Sequence, residues 1–316
     1  MHSGNKWAVL TSVLLWLLPM SAAPAQELAN PESWAAPELV DHPLTGRIWD
    51  ARRQTFIGPN ELAASIADAR YLLLGEKHDN PDHHTLQLAV VESLLRQERL
   101  YRVSFEMLDS DVRERLLDIY LQEPMNADEL QAYLMWDTEG WDWSFYGPLV
   151  QAVYAAGIGI AAGNITRDEV SAIYANDNAS SREVLGEAAL ARLELDIDES
   201  HCGLLPESQF PAMVRVQQAR DRTMAGSLRP PAADMTSVLV AGNYHVRRDL
   251  GVPNYLLRRE PSLAPEAIVT LSFMEVQDGE TDPALYQEQF GEQHAFDYLW
   301  FTPSVGEEDY CAAMRQ

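Results

Sequence analysis

Lysine is almost missing from this 316-residue chain: Lys6 and Lys77 are its two copies, and arginine supplies the remaining basic charge. Lysine and arginine together number 23 against 48 aspartates and glutamates, a formal net charge of −25. No cluster of basic residues stands ready to neutralise phosphates, which argues against nucleic acid and anionic membrane surfaces as partners. Cysteine is equally scarce. Cys202 and Cys311 are its two copies, so a disulfide framework of the small secreted kind is excluded and a single long-loop bridge between them is the one candidate disulfide. Apart from Trp7–Leu18 the chain lacks long apolar runs, and that run is too short to span a bilayer. Internal repeats are also absent.

What is there begins with an export signal. Met1–Lys6 carries one lysine and no acid, the apolar run follows, and Ala23-x-Ala25 supplies small residues at a cleavage site. Residues 1–25 are therefore expected to be a signal peptide removed before Gln26. With Lys6 gone, 22 basic face 48 acidic residues and the charge becomes about −26. No cysteine lies at the cleavage site, and lipoprotein processing requires one, so the expected product is a soluble, periplasmic or otherwise exported protein without a lipid anchor or transmembrane segment.

Short apolar runs read as buried strands at Tyr71–Gly75, Tyr101–Glu106, Ile158–Ala162, Ser237–Ala241 and Ile268–Phe273. Between them, Asn80-Pro81 opens a helix through about Arg96, and Pro148 is read as starting another through Ala156. The alternation predicts an α/β fold: a mainly parallel central sheet flanked by helices. Residues of about 110–145 and 165–230 are helical in pattern and are expected to form a lid or cap inserted over the carboxyl edge of the strands, all within one domain over 26–316.

In such sheets ligands bind beyond the carboxyl ends of the strands, and polar residues gather there in sequence. The first strand runs into Glu76, Lys77 and His78, the second ends at Glu106, the third runs into Asn164 and Arg167, and the fourth into Gly242-Asn-Tyr-His245. His83 and His84 fall in the first turn of the helix after Asn80, where the dipole and free N–H groups favour a carboxylate, and Gln87 follows one turn on. Glycine at 75 and 242 lets the backbone turn close to a ligand. Two histidines, His78 and His245, with Glu76 or Glu106 could hold a divalent metal or act as an acid–base pair. Gln217, Asp221 and Met224 share a helix face. Trp136 to Tyr146 concentrates aromatics of the kind that receive flat apolar ligands.

These residues resemble the ChaN family, a haem-binding uptake family of the Tiki superfamily. The resemblance rests on Gly75-Glu-Lys-His-Asp-Asn80 with His83, His84 and Gln87, on Phe105-Glu106-Met107, and on Trp143-x-x-Tyr146. Ala162-Gly-Asn164, His201-Cys202-Gly203 with Gln217 and Arg220-Asp221, and Gly242-Asn-Tyr-His245 with Gly251-Val-Pro253 extend it over about residues 50–275. It implies haem as cofactor, bound at a homodimer interface with a tyrosine on the iron and a lysine and a histidine on the propionates, and an outer-membrane haem receptor as a further partner. Carried onto this chain, that makes Lys77 and His83 or His84 the propionate partners, and Tyr174, with Arg167 two turns away, or Tyr146 the iron ligand, Tyr174 being preferred. The alternative function is a metal-dependent or acid–base hydrolase using Glu76, His78, Glu106 and His245.

Overall fold

A computed structural model describes residues 28–176, 184–230, 232, 234–291, 295–306 and 311–312. The expected signal peptide and its cleavage site lie outside the described residues. The first half comprises β1 (Ile48–Asp50), β2 (Thr55–Ile57), α1 (Pro59–Ile66), β3 (Tyr71–Glu76), α2 (Pro81–Arg96), β4 (Leu100–Phe105), α3 (Arg113–Asp118), α4 (Ala127–Tyr133), α5 (Trp143–Ala155) and β5 (Gly159–Ala162). There follow α6 (Arg167–Tyr174), α7 (Glu187–Ser200), α8 (Phe210–Ser227), β6 (Thr236–Gly242), α9 (Asn243–Val246), α10 (Val252–Arg259), β7 (Ile268–Glu275), α11 (Leu285–Glu288) and β8 (Tyr298–Thr302).

The strands form one eight-stranded sheet in the order β2-β1-β8-β7-β3-β6-β4-β5. It is parallel from β8 to β5, with β1 antiparallel to both β8 and β2 at the other edge. All five expected strands are present. β1, β2 and β8 were not anticipated: the first two are three residues each, too short for a periodic signal, and β8 is a buried five-residue run with no alternation to read.

β3 sits near the centre and is buried at every position, as a parallel strand covered on both faces must be. Leu72 and Leu74 join one core with α2 residues Leu86, Val90 and Val91, while Tyr71 and Leu73 join a second core with Met224 of α8 and Tyr255 and Leu256 of α10. The helix leaving β3 therefore covers one face and the helix approached from β6 covers the other. β3 pairs β6 on one side and β7 on the other, so the chain diverges at the ends of β3 and β6 and leaves a crevice there.

One of the two helices opened by a proline signal differs from expectation. α2 spans Pro81–Arg96 as anticipated, with Asn80 accepting from the Asp82 N–H. α5 begins at Trp143, five residues before Pro148, because Asp142 caps it by accepting from the Ser144 N–H; a proline at its sixth position forfeits one main-chain hydrogen bond, which flanking packing of Tyr146, Leu149 and Val150 offsets. The segment 165–230 reaches the strand ends through Asp221 of α8 and Asp196 of α7, yet the carboxyl half of α8 leaves the cap and packs on the sheet face. Cys202 and Cys311 are disulfide-bonded, with their Cα atoms 5.7 Å apart.

Candidate functional site

Register brings three strand ends together. Glu76 of β3 lies opposite Gly242 of β6, and the N–H of Glu106, one residue past β4, donates to Val240 O at 3.0 Å. The Glu76 side chain is buried and fully engaged: Oε1 accepts from Tyr146 Oη–H at 2.6 Å and lies 2.9 Å from His78 Nδ1, while Oε2 accepts from Gln87 Nε2 at 2.6 Å. His84 Nδ1 is 3.3 Å from Oε2, close enough for charge attraction though without hydrogen-bond alignment. Burial alone would raise the Glu76 carboxyl, but the neighbouring His84 charge and the His78 hydrogen bond outweigh it and hold the group well below the carboxylate range.

A second cluster stands across β6. His245 Nδ1 lies 2.6 Å from Asp221 Oδ1, and its Nε2 lies 3.3 Å from Glu106 Oε1. Glu106 Oε2 accepts the Gly242 N–H at 2.8 Å. Burial opposes charge on His245, yet the carboxylates of Glu106 and Asp221 push it up to about 10, and Glu106, against its own burial, is held at about 2 by the His245 charge. Gln217 Nε2, on α8, is 3.2 Å from His245 Nδ1. His245 is thus clamped between two carboxylates as an imidazolium, whereas His78 is not clamped. Its side chain is 43 % exposed, its Nδ1 faces Glu76, its ring meets the edge of Trp141, and among the described residues its Nε2 has no hydrogen bond.

The start of α2 is tied to other parts of the chain. Asp82 accepts the N–H groups of Ala35 and Ala36, and Asn80 donates to Glu275 and to Pro303 O. His83 is fully buried: Nδ1 accepts the Lys77 N–H at 2.9 Å and Nε2 faces Thr302 Oγ1 at 2.9 Å. Burial pushes it down to about 3, so it is neutral and structural. His84 is also buried, stacked on Phe145, with Nε2 donating to His78 O. His83 is thus covered by β8 through Thr302, and His84 by the Phe145 and Tyr146 rings of α5.

Beyond these ends opens a cleft of about 1510 Å³. Its polar side carries Lys77, His78 and Glu275, and its apolar side Phe273, Met274 and Phe290. Lys77 Nζ pairs with Asp79 and lies 3.7 Å from Glu275. Tyr244 also lines the cleft, 45 % exposed, with its ring against Phe290 and the Arg247 guanidinium 5.5 Å from its centroid. Arg247 itself is fully buried and binds Asp196, Asp249 and Phe290 O.

The two tyrosines weighed as iron ligands are not among the cleft-lining residues. Tyr146 is 1 % exposed and spends its hydroxyl on Glu76, and burial together with that carboxylate drives its phenol far above the usual range, so it is unsuited to phenolate ligation. Tyr174 ends α6, where its carbonyl accepts from Arg215. Arg167 is exposed and pairs with Asp137, and Asn164 is buried with its side chain capping the Ile165 N–H. Among the described residues, no group of three or more histidine, cysteine, aspartate or glutamate side chains is arranged to hold a metal ion. Sequence reasoning missed Tyr244, although it lies inside the Gly242-Asn-Tyr-His245 motif, and missed the Arg247 anchor, whose only signal was its place two residues beyond His245.

A mainly parallel sheet with buried carboxylate–histidine pairs at its carboxyl edge and a wide cleft above them defines an α/β ligand-binding or enzymatic scaffold. The family described as haem-binding uptake, Tiki superfamily, ChaN matches residues 62–256, more than half of the chain, and the protein belongs to it. Among solved structures, that of ChaN of Campylobacter jejuni with cofacially bound haem is 26 % identical, covers 80 % of this chain and 95 % of its own, and superposes with a TM-score of 0.66. An erythromycin esterase mutant in its open conformation is 14 % identical over 88 % of this chain and 99 % of its own, with a TM-score of 0.45. A toxin effector domain from Vibrio vulnificus is 16 % identical over 80 % and 39 %, with a TM-score of 0.39. At those levels the likeness bears on neither chemistry nor ligand. No curated protein matches the chain.

Proposed function

We propose that this protein binds haem and serves its uptake outside the cytoplasm, as a soluble carrier exported by the segment 1–25 and acting as a homodimer that passes haem from or to an outer-membrane receptor. Membership of a haem-binding family supports the cofactor, and the cleft at the ends of β3, β6 and β7 is the observation that carries the reading to this chain. Haem needs a flat apolar wall, a cation for its propionates and a donor for its iron. In support of this reading, the half-exposed Tyr244 ring lines the cleft beside Phe290, the Lys77 ammonium stands at its polar side, and His78 and Tyr244 are candidate donors. Haem would supply a redox-active, Lewis-acidic iron; the protein's part is to cover the macrocycle, orient it through Lys77 and exclude water.

Among the described residues no helix is long and apolar enough to cross a membrane, which is consistent with a carrier. The test is titration of the purified chain with haemin followed in the Soret region, with light scattering for mass. A saturable Soret shift accompanied by a dimer mass is expected. A flat titration would remove haem, and a monomer at every loading would remove the dimer.

A further inference from the structure

α7 is held apart from the body of the fold. Among the described residues it gives no side chain to either of the two large cores. Its Leu190, Leu193 and Ile197 meet Leu185, Val214 and Leu250 in a separate small cluster. Its polar fastening is Asp196, which lies 2.6 Å from Nη1 of the fully buried Arg247 and 2.6 Å from Nη2 of Arg192. A buried ion pair orients its partners, while desolvation cancels most of its attraction. Neither the cluster nor the pair therefore holds α7 firmly.

The same helix backs one wall of the cleft. Arg247 also donates to Phe290 O at 2.9 Å, and its guanidinium lies 5.5 Å and 5.1 Å from the Tyr244 and Phe290 ring centroids. Arg192, on α7 itself, donates to Gln289 O at 3.2 Å. Tyr244, Gln289 and Phe290 line the cleft, so this wall is steadied from α7.

α7 ends at Ser200, and Cys202 just beyond it is bonded to Cys311. The other arm of the bridge comes from the chain after β8, where Ser304 and Gly306 line the cleft and Ser304 Oγ and the Val305 N–H donate to Glu275. The bridge thus ties the end of α7 to a second stretch of the cleft lining. Both cysteines are half-buried, within reach of a dithiol. Cys202 has φ +60°, in the left-handed region that residues other than glycine disfavour, so the turn presenting its sulfur is one the backbone does not favour by itself.

We propose that the Cys202–Cys311 bridge is a redox switch on the cleft: oxidised, it clamps α7 behind the Tyr244–Phe290 wall, and reduced by a dithiol it frees α7 and loosens that wall. Reduction breaks the S–S bond, each sulfur gains a proton, and the two electrons and two protons come from the dithiol, which leaves as a disulfide. The switch stands on the geometry of α7 and the bridge; that its cargo is haem rests on the reading above.

The experiment is hydrogen exchange read by mass spectrometry on the full chain with its bridge intact, on the same folded chain after dithiothreitol, and on Cys202→Ser. Without the bridge, amides of 187–200 and 285–290 should exchange on the order of tenfold faster, while β3 and β6 stay protected over the same labelling time. Haemin release to apomyoglobin should be faster from both bridge-free forms. Reduction of the folded wild type keeps the test decisive if Cys202→Ser does not fold. A bridge that resists the dithiol in the folded chain, unchanged protection of α7, or equal acceleration throughout the sheet overturns the switch, the last marking a simple staple. Equal release rates from loaded protein in the two states would also overturn it. If haemin binds neither state, the carrier reading falls and the exchange result alone decides the switch.

Discussion

Changing Tyr146 to Phe separates a buried structural phenol from an iron ligand. The ring would keep its packing against His84 and Trp136, so the loss is confined to the hydroxyl and its 2.6 Å bond to Glu76. A hydrogen bond to a charged group is worth about 1.5–3 kcal/mol. Glu76 retains Gln87 and His78 as hydrogen-bond partners and His84 nearby, which places the expected loss near the lower end, about 1.5–2 kcal/mol. At roughly 2–4 °C per kcal/mol for a large domain, the melting temperature should fall by about 3–8 °C. Thermal unfolding followed by far-ultraviolet circular dichroism measures this, and haemin titration of the same sample should return an unaltered Soret position. A melting temperature within about one degree of wild type would show that the bond stabilises little. Loss of the haem spectrum in a folded variant would refute the structural role outright.

Three other perturbations test separate parts of the molecule. Lys77→Ala should weaken haem binding by only about 1.5 kcal/mol, the low end for a charged hydrogen bond, because Asp79 and Glu275 already share the ammonium; isothermal titration showing a hundredfold loss would contradict that sharing. Reducing the Cys202–Cys311 bridge opens a loop of sequence separation 109 and should destabilise by about 4 to 5 kcal/mol on the chain-entropy model, visible as a lower denaturant midpoint with reductant present. For pH, Glu106 is lowered from 4.5 to about 2 and His245 raised from 6.5 to about 10. The Glu106 contribution is complete above 4.5 and lost as pH falls toward about 2, and the His245 contribution is complete below 6.5 and lost as pH rises through about 10. Melting temperature should therefore decline between about pH 7 and 10, less steeply in Glu106→Gln; a flat wild-type profile there would show that the imidazolium is not stabilised by its clamp.

Much of this protein was legible before its tertiary structure. The anticipated strands β3, β6 and β7 carry nearly continuous apolar runs because both their faces are covered, and Asn80-Pro81 starts α2 by capping chemistry that depends on neighbours in sequence alone. The polar residues at the strand ends were likewise visible, since a strand's last residues announce themselves where apolar character stops. The scarcity of lysine and the Gly-x-x-His turns marked Lys77, His78 and His245 directly.

Only the fold decided what those residues do. His83 and His84 look like ligand-facing residues at a helix terminus, yet β8 and α5, distant in sequence, bury their rings, and the N-terminal segment ties down Asp82 beside them. Tyr146 looks like an aromatic from a ligand pocket but reaches Glu76 across a sequence separation of 70 residues. His245 and His78 share a Gly-x-x-His motif, and the difference between them comes from Asp221, delivered by α8. Local pattern is set by the periodicity of burial and by capping, both short-range. Which nitrogen or hydroxyl is left open depends on partners that long-range packing brings, and no short-range signal encodes them.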